Sequence, residues 1–173
     1  MADNPVIQRP VMVILFILAF VGCRRYERVK LEKIIFHNSR CFGSCPAYHF
    51  QIDSSKALLL YSEYMHNTDN QAGVNDPDTS KMGYFTGQVN DRLYGELVSE
   101  LGNVGLDELQ FDGANCCDGS TKTIIVYYNG KRKVLKSMFP PKEAGKLISL
   151  LRSIAETTNT QRTDKRFQIE DSE

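Results

Sequence analysis

Residues 121–138 read TKTIIVYYNGKRKVLKSM, and the fold class turns on them. The first eight are dense in β-branched and aromatic side chains, which suit the pleated surface of a strand. Asn129-Gly130 follows at once. Both residues tolerate the positive φ that a type I′ turn requires, so the chain is expected to fold back as a hairpin through residues 131–138. Pro140 and Pro141 then suit the start of a helix, and Ala144, Leu147, Ile148, Leu151 and Ile154 recur at helical spacing to form its buried face.

The same contrast of periods organises the chain towards its N-terminal side. Val89, Leu93, Leu97, Leu101 and Val104 make one apolar stripe on a helix from about Asn90 to Asn103, with Gly102 and Gly105 marking its end. Ahead of it, residues 31–37 (LEKIIFH), 46–53 and 57–64 (ALLLYSEY) read as strands, and a short one is expected around residues 82–86. In the second strand Tyr48, Phe50 and Ile52 share one face and Ala47, His49 and Gln51 the other. The first two strands flank the loop 38–45, which contains Gly43, and form a hairpin. Asp53-Ser54-Ser55 is turn material, and residues 65–81 make a long polar loop. Strands in succession, then helix, hairpin and helix, predict an α+β fold: an antiparallel sheet with helices packed on one face, a two-layer sandwich. One domain is expected at residues 31–156, with 157–173 a polar, disordered tail.

A chain of 173 residues has room for one ordinary domain, and 42% hydrophobic with 24% charged residues is globular composition. Lys+Arg and Asp+Glu both total 21, which removes the electrostatic ground for a nucleic-acid partner.

Residues 11–21 (VMVILFILAFV) are unbroken apolar, but about 11 residues fall short of the roughly 17 needed to cross a bilayer. A secretory signal fits that length. Gly22 directly before Cys23 resembles the lipobox of bacterial lipoproteins, whose cysteine is lipidated and becomes the new N-terminus. That resemblance implies a signal peptide at 1–22, a lipidated N-terminus and tether at 23–30, and attachment to the membrane through lipid at Cys23. Arg24 and Arg25 follow the cysteine in place of an acidic residue, so the expected location is the cell envelope, facing the periplasm.

With Cys23 lipidated, Cys41, Cys45, Cys116 and Cys117 remain, an even set in an exported chain, and a structural disulfide framework is expected of all four. Cys41 with Cys45 is the preferred pair, because a hairpin brings its loop ends within the roughly 4.4–6.8 Å Cα separation a disulfide needs. A bridge from that loop to Cys116 or Cys117 is the competing arrangement.

The stretch Cys41-Phe42-Gly43-Ser44-Cys45-Pro46-Ala47-Tyr48 has the form CFGxCPxY, with Phe42, Gly43, Pro46 and Tyr48 as its other fixed positions. It resembles the hallmark of an uncharacterised domain family of exported bacterial lipoproteins, many from the Bacteroidota. The likeness extends to Phe85-Thr86-Gly87, to Asp118 and to the final hairpin and helix, over about residues 30–155. The turn Asp53-Ser54-Ser55 departs from it, since the family leads one to expect a glycine there. The resemblance implies a lipoprotein domain with no established activity.

His37, His49 and His66 are the only imidazoles, and no Gly-x-Ser-x-Gly, His-Glu-x-x-His or phosphate loop accompanies them, so no catalytic residue, metal or cofactor is expected. His49, opposite Tyr48, reads as a surface residue. Asp69, Asn70, Asn75, Asp76 and Asp78 lack the spacing of a calcium loop and read as solvated. The expected role is a non-enzymatic, lipid-anchored module that binds an envelope protein or glycan or supports envelope structure. Two alternatives use the cysteines. One is thiol–disulfide exchange at Cys41 and Cys45, although the redox motif has two intervening residues and opens a helix. The other is a metal site of the four cysteines with His37 or His49.

Overall fold

The computed structural model describes residues 29–43, 45–65, 77–114 and 116–172. The signal segment, Cys23, His66 and the acidic run 69–76 lie outside the described residues.

The elements are β1 (Leu31–Asn38), β2 (Ala47–Asp53), β3 (Ala57–Tyr64), β4 (Gly83–Gln88), α1 (Asp91–Asn103), β5 (Lys122–Tyr128), β6 (Lys131–Ser137), α2 (Gly145–Thr157) and β7 (Thr160–Arg162). The seven strands form one sheet in the order β6-β5-β1-β2-β3-β4-β7, with every neighbouring pair antiparallel. Local hairpins build β1 to β4 outward on one side. The chain then crosses through α1 to the other side of β1, lays down β5 and β6, and returns through α2 to add β7 at the far edge.

The hairpin read from residues 121–138 forms as expected, with Asn129 at φ 51° and Gly130 at φ 73°. Asn129 also fastens the start of the domain, its Oδ1 accepting from the Lys30 N–H at 2.9 Å. The turn after β2 manages without the glycine. Asp53 Oδ1 accepts from the Ser55 and Ala57 N–H groups, and Lys56 itself takes φ 68°. In α1, Asn90 caps the first turn by accepting from the Leu93 N–H at 2.9 Å. A 3-10 turn at Lys142–Ala144 separates Pro141 from α2, so the second helix proper starts at Gly145.

Strand alternation sends Ile34, Phe36, Tyr48, Phe50, Ile52, Leu58, Leu60, Ile124, Val126 and Tyr128 into one core with Leu93, Leu97 and Leu101 of α1 and Leu147, Leu151 and Ile154 of α2. The two helices also share an ion pair, Lys146 Nζ to the buried Glu100 Oε2. Val29 joins this core, so the domain begins within the expected tether.

The segment after α2 corrects the expected disorder. Thr160–Arg162 pair with β4, and the Thr163 N–H bonds the Tyr84 carbonyl at 2.9 Å. The Arg162 guanidinium donates to the carbonyls of Thr79, Ser80 and Met82. Residues up to 172 then run across the sheet face that the helices leave uncovered, from Tyr84 on β4 to Lys136 on β6. A few separated anchors hold this segment, which is why its polar composition concealed it.

Candidate functional site

Antiparallel register aligns one residue from each of six strands across that second face. Lys136 of β6 stands opposite Thr123 of β5, which stands opposite His37 of β1; His37 faces His49 of β2, His49 faces Tyr61 of β3, and Tyr61 faces Tyr84 of β4. Adjacent strands bring directly opposed side chains into contact, so the row becomes a file of rings. Ring centroids are 5.0 Å apart for His37 and His49, 6.0 Å for His49 and Tyr61, and 4.6 Å for Tyr61 and Tyr84. Phe167 of the crossing segment meets Tyr84 edge-on at 5.1 Å. Between the row and this segment is a cavity of about 510 Å³.

The two histidines share a short contact, Nδ1 to Nδ1 at 2.8 Å. His37 Nε2 lies 2.8 Å from the Glu170 carbonyl oxygen, and His49 Nε2 lies 3.4 Å from Glu63 Oε1. A carbonyl oxygen only accepts, so the His37 Nε2 must carry a proton. One of the facing Nδ1 atoms must also donate. The two contacts of His37 are met when its proton is on Nε2 and its Nδ1 accepts from His49 Nδ1. Burial, the largest influence, holds the His37 pKa below its ordinary value, and the neighbouring His49 adds to this. The arrangement is a hydrogen-bonded line from His49 through His37 to the crossing segment, with Glu63 at ion-pairing distance behind His49.

Beside the line, Glu170 is gripped from three strands' side chains. Its carboxylate accepts from Lys33 Nζ at 2.8 Å, from the Tyr127 hydroxyl at 2.5 Å and from Arg132 Nε at 3.2 Å. The Lys33 ammonium first, and the Tyr127 hydroxyl next, bring its pKa down to about 2. His49 is therefore only partly exposed, contrary to its reading as an open surface residue, because a segment distant in sequence covers its face.

The CFGSCP loop lies at one end of the sheet, where β1 ends and β2 begins. Cys41 and Cys45 are joined, with Cα atoms 5.6 Å apart, as the preferred pairing expects. Gly43 supplies φ 141° inside the loop, and Phe42 is 87% exposed. Asn38 Nδ2 donates to the Pro46 carbonyl, while Tyr48 enters the core, where burial pushes its hydroxyl pKa well up. A cavity of about 180 Å³ opens beside this loop between Cys45, Tyr48, Lys122 and Arg152.

Cys116 and Cys117 depart from the expectation of four oxidised cysteines. Both are exposed thiols with their sulfurs 2.7 Å apart, and Cys117 has φ 60°. Their turn is held against the motif loop by the Phe42 N–H to Asp118 carbonyl bond at 3.1 Å. With Cys41 closed on Cys45, the motif offers them no partner, and a bridge between sequence neighbours must distort the peptide between them. The hydrogen bond with Cys117 raises the Cys116 pKa. The zinc alternative needed cysteines and histidines together, whereas among the described residues no three of His, Cys, Asp and Glu gather to hold a metal. The redox alternative needed a helix start behind the sulfurs, and Cys45 leads into β2.

The histidine row was half visible in the sequence. Alternation puts His49 on the face opposite Tyr48, and the β1–β2 hairpin register would have set His37 beside it. Glu170, 133 positions from its His37 contact, gave no signal.

Comparison with known families identifies the chain. A family described as a domain of unknown function, DUF6438, matches residues 32–158, and the chain belongs to it. No curated protein matches the chain. The matched range runs from the second residue of β1 through β6, takes in both helices and the motif loop, and stops before β7 and the crossing segment.

Proposed function

We propose that this member of the DUF6438 family is a lipid-anchored module of the bacterial cell envelope, tethered through Cys23, facing the periplasm, and binding a protein or glycan without catalysing a reaction. The observation that carries the reading is the short apolar run 11–21 ending in Gly22-Cys23, and the direction of β1 says what such an anchor would display. Leu31, the first strand residue after the tether, pairs with Tyr128 beside the Asn129-Gly130 turn. Asn38, at the other end of the strand, pairs with Lys122 and Tyr48 beside the motif loop. Seven steps along the eight-residue strand at about 3.3 Å each separate the two ends by about 23 Å.

A lipid at Cys23 would hold the Asn129-Gly130 end against the bilayer and present the opposite end outward. That far end carries the Cys41–Cys45 loop with its exposed Phe42, and Phe139, 56% exposed, just beyond β6. Rings displayed on short loops are suited to partner contact, and the bridge stiffens the loop that carries Phe42. The reading without catalysis rests on the sequence, where no nucleophile and base accompany the histidines.

Cys23→Ser tests the anchor. The expected outcome is loss of the protein from the detergent phase of a phase-partitioned envelope extract, with unprocessed precursor accumulating. Unchanged partitioning and unchanged mass would reject the lipoprotein reading.

A further inference from the structure

We propose that the second face of the sheet is a binding groove for an extended acidic peptide segment bearing an aromatic side chain three residues ahead of a carboxylate, and that the chain's own residues 167–171 occupy it. The site is independent of the lipid anchor, so either proposal can fail alone.

The walls of the groove and its occupant fall on opposite sides of the family boundary. The row from Lys136 to Tyr84, with Lys33 and Arg132, lies inside the family's range of 32–158, whereas the occupant lies outside it. The face therefore lies within the matched domain, and the segment that covers it lies beyond the match.

Two subsites set the ligand chemistry. The Tyr61–Tyr84 stack receives the edge of Phe167. Three positions on, Lys33, Tyr127 and Arg132 converge on the Glu170 carboxylate, and His37 donates to the same residue's carbonyl. Lys136 extends the cationic side, with its Nζ 3.2 Å from Ser172 Oγ. A neutral or basic segment would leave these donors without an acceptor.

The fit of the occupant also differs from core packing. A cavity of about 510 Å³, open to solvent, lies between this segment and the ring row, so the two do not close into a packed core. Beyond Thr163 the anchors named above all pass through a side chain, so the segment can leave without breaking the sheet. Tethering gives the resident segment an effective concentration on the order of millimolar, so a free peptide competes poorly with it until its anchors are weakened.

The test is full-length Phe167→Ala/Glu170→Ala with a fluorescein-labelled peptide of residues 163–173 as probe, followed by fluorescence anisotropy. The expected result is at least tenfold tighter binding than to the parent chain, lost when Lys33→Glu is added. A variant that melts cooperatively and binds no more peptide than the parent overturns the proposal. Should the double variant not fold, the parent chain is clipped by limited trypsin digestion at the exposed Arg162, Lys165 and Arg166 and the released segment is removed by gel filtration, which frees the groove of an already folded protein. A clipped chain that keeps its β-sheet dichroism and takes up the peptide supports the groove. One that keeps its dichroism without binding, or that unfolds on clipping because the segment is core, overturns it.

Discussion

His37 is the residue at which burial, hydrogen bonding and pH meet. Its ring touches His49, the Glu170 carbonyl and the fields of Asp171 and Lys136, with Glu63 behind His49. Because burial holds its folded pKa below the unfolded value of 6.5, the unfolded chain binds the extra proton first as pH falls. Stability from this group is therefore fully present above 6.5 and declines as pH drops through the folded value. Urea unfolding at several pH values below about 6.5 should show this slope in the parent and a flatter one in His37→Gln. Equal slopes would remove His37 as the cause. Glu170 acts over a lower range, since its stabilising effect is present above 4.5 and lost only as pH falls to about 2. The faces of His49 and Tyr48 were readable from alternation alone. Whether the His49 face met water depended on a segment with no periodic signal.

At the scale of elements, strongly periodic segments were legible and short ones were not. The stripe of α2 was read from spacing, and Leu147, Leu151 and Ile154 are fully buried against the sheet. Leu151→Ala should cost about 2–5 kcal/mol in denaturant unfolding, as buried large-to-small changes do, and a loss well under 1 kcal/mol would mean the face is misassigned. The three residues of β7 have no alternation to read. Their place is set by a close approach: a Cβ at Gly87 would lie 2.9 Å from the Asn159 carbonyl oxygen. The resemblance that singled out Phe85-Thr86-Gly87 thus included the point where the last strand docks, although the spacing of those residues carried no hint of it. The 3-10 turn before α2 is equally local, and Pro140-Pro141 marked the approach to the helix without marking its first residue.

Across the whole molecule, the antiparallel sheet and its two helices followed from the order of elements, but the arrangement of strands did not. Sequence neighbours predict the hairpins β1–β2 and β5–β6, whereas the pairing of β1 with β5 joins segments separated by three strands and α1. That pairing makes β1 central and sets the tether end and the motif end about one strand length apart. The cysteines behaved in a parallel way: the local pair Cys41–Cys45 was readable from its hairpin loop, and the thiols of Cys116 and Cys117 were not. The most direct measurement of the proposed membrane tether is mass spectrometry of N-terminal peptides from protein purified out of native envelopes. A peptide beginning at Cys23 and carrying lipid is the expected result; a peptide that retains residues before Cys23, or one with an unmodified Cys23, would contradict it.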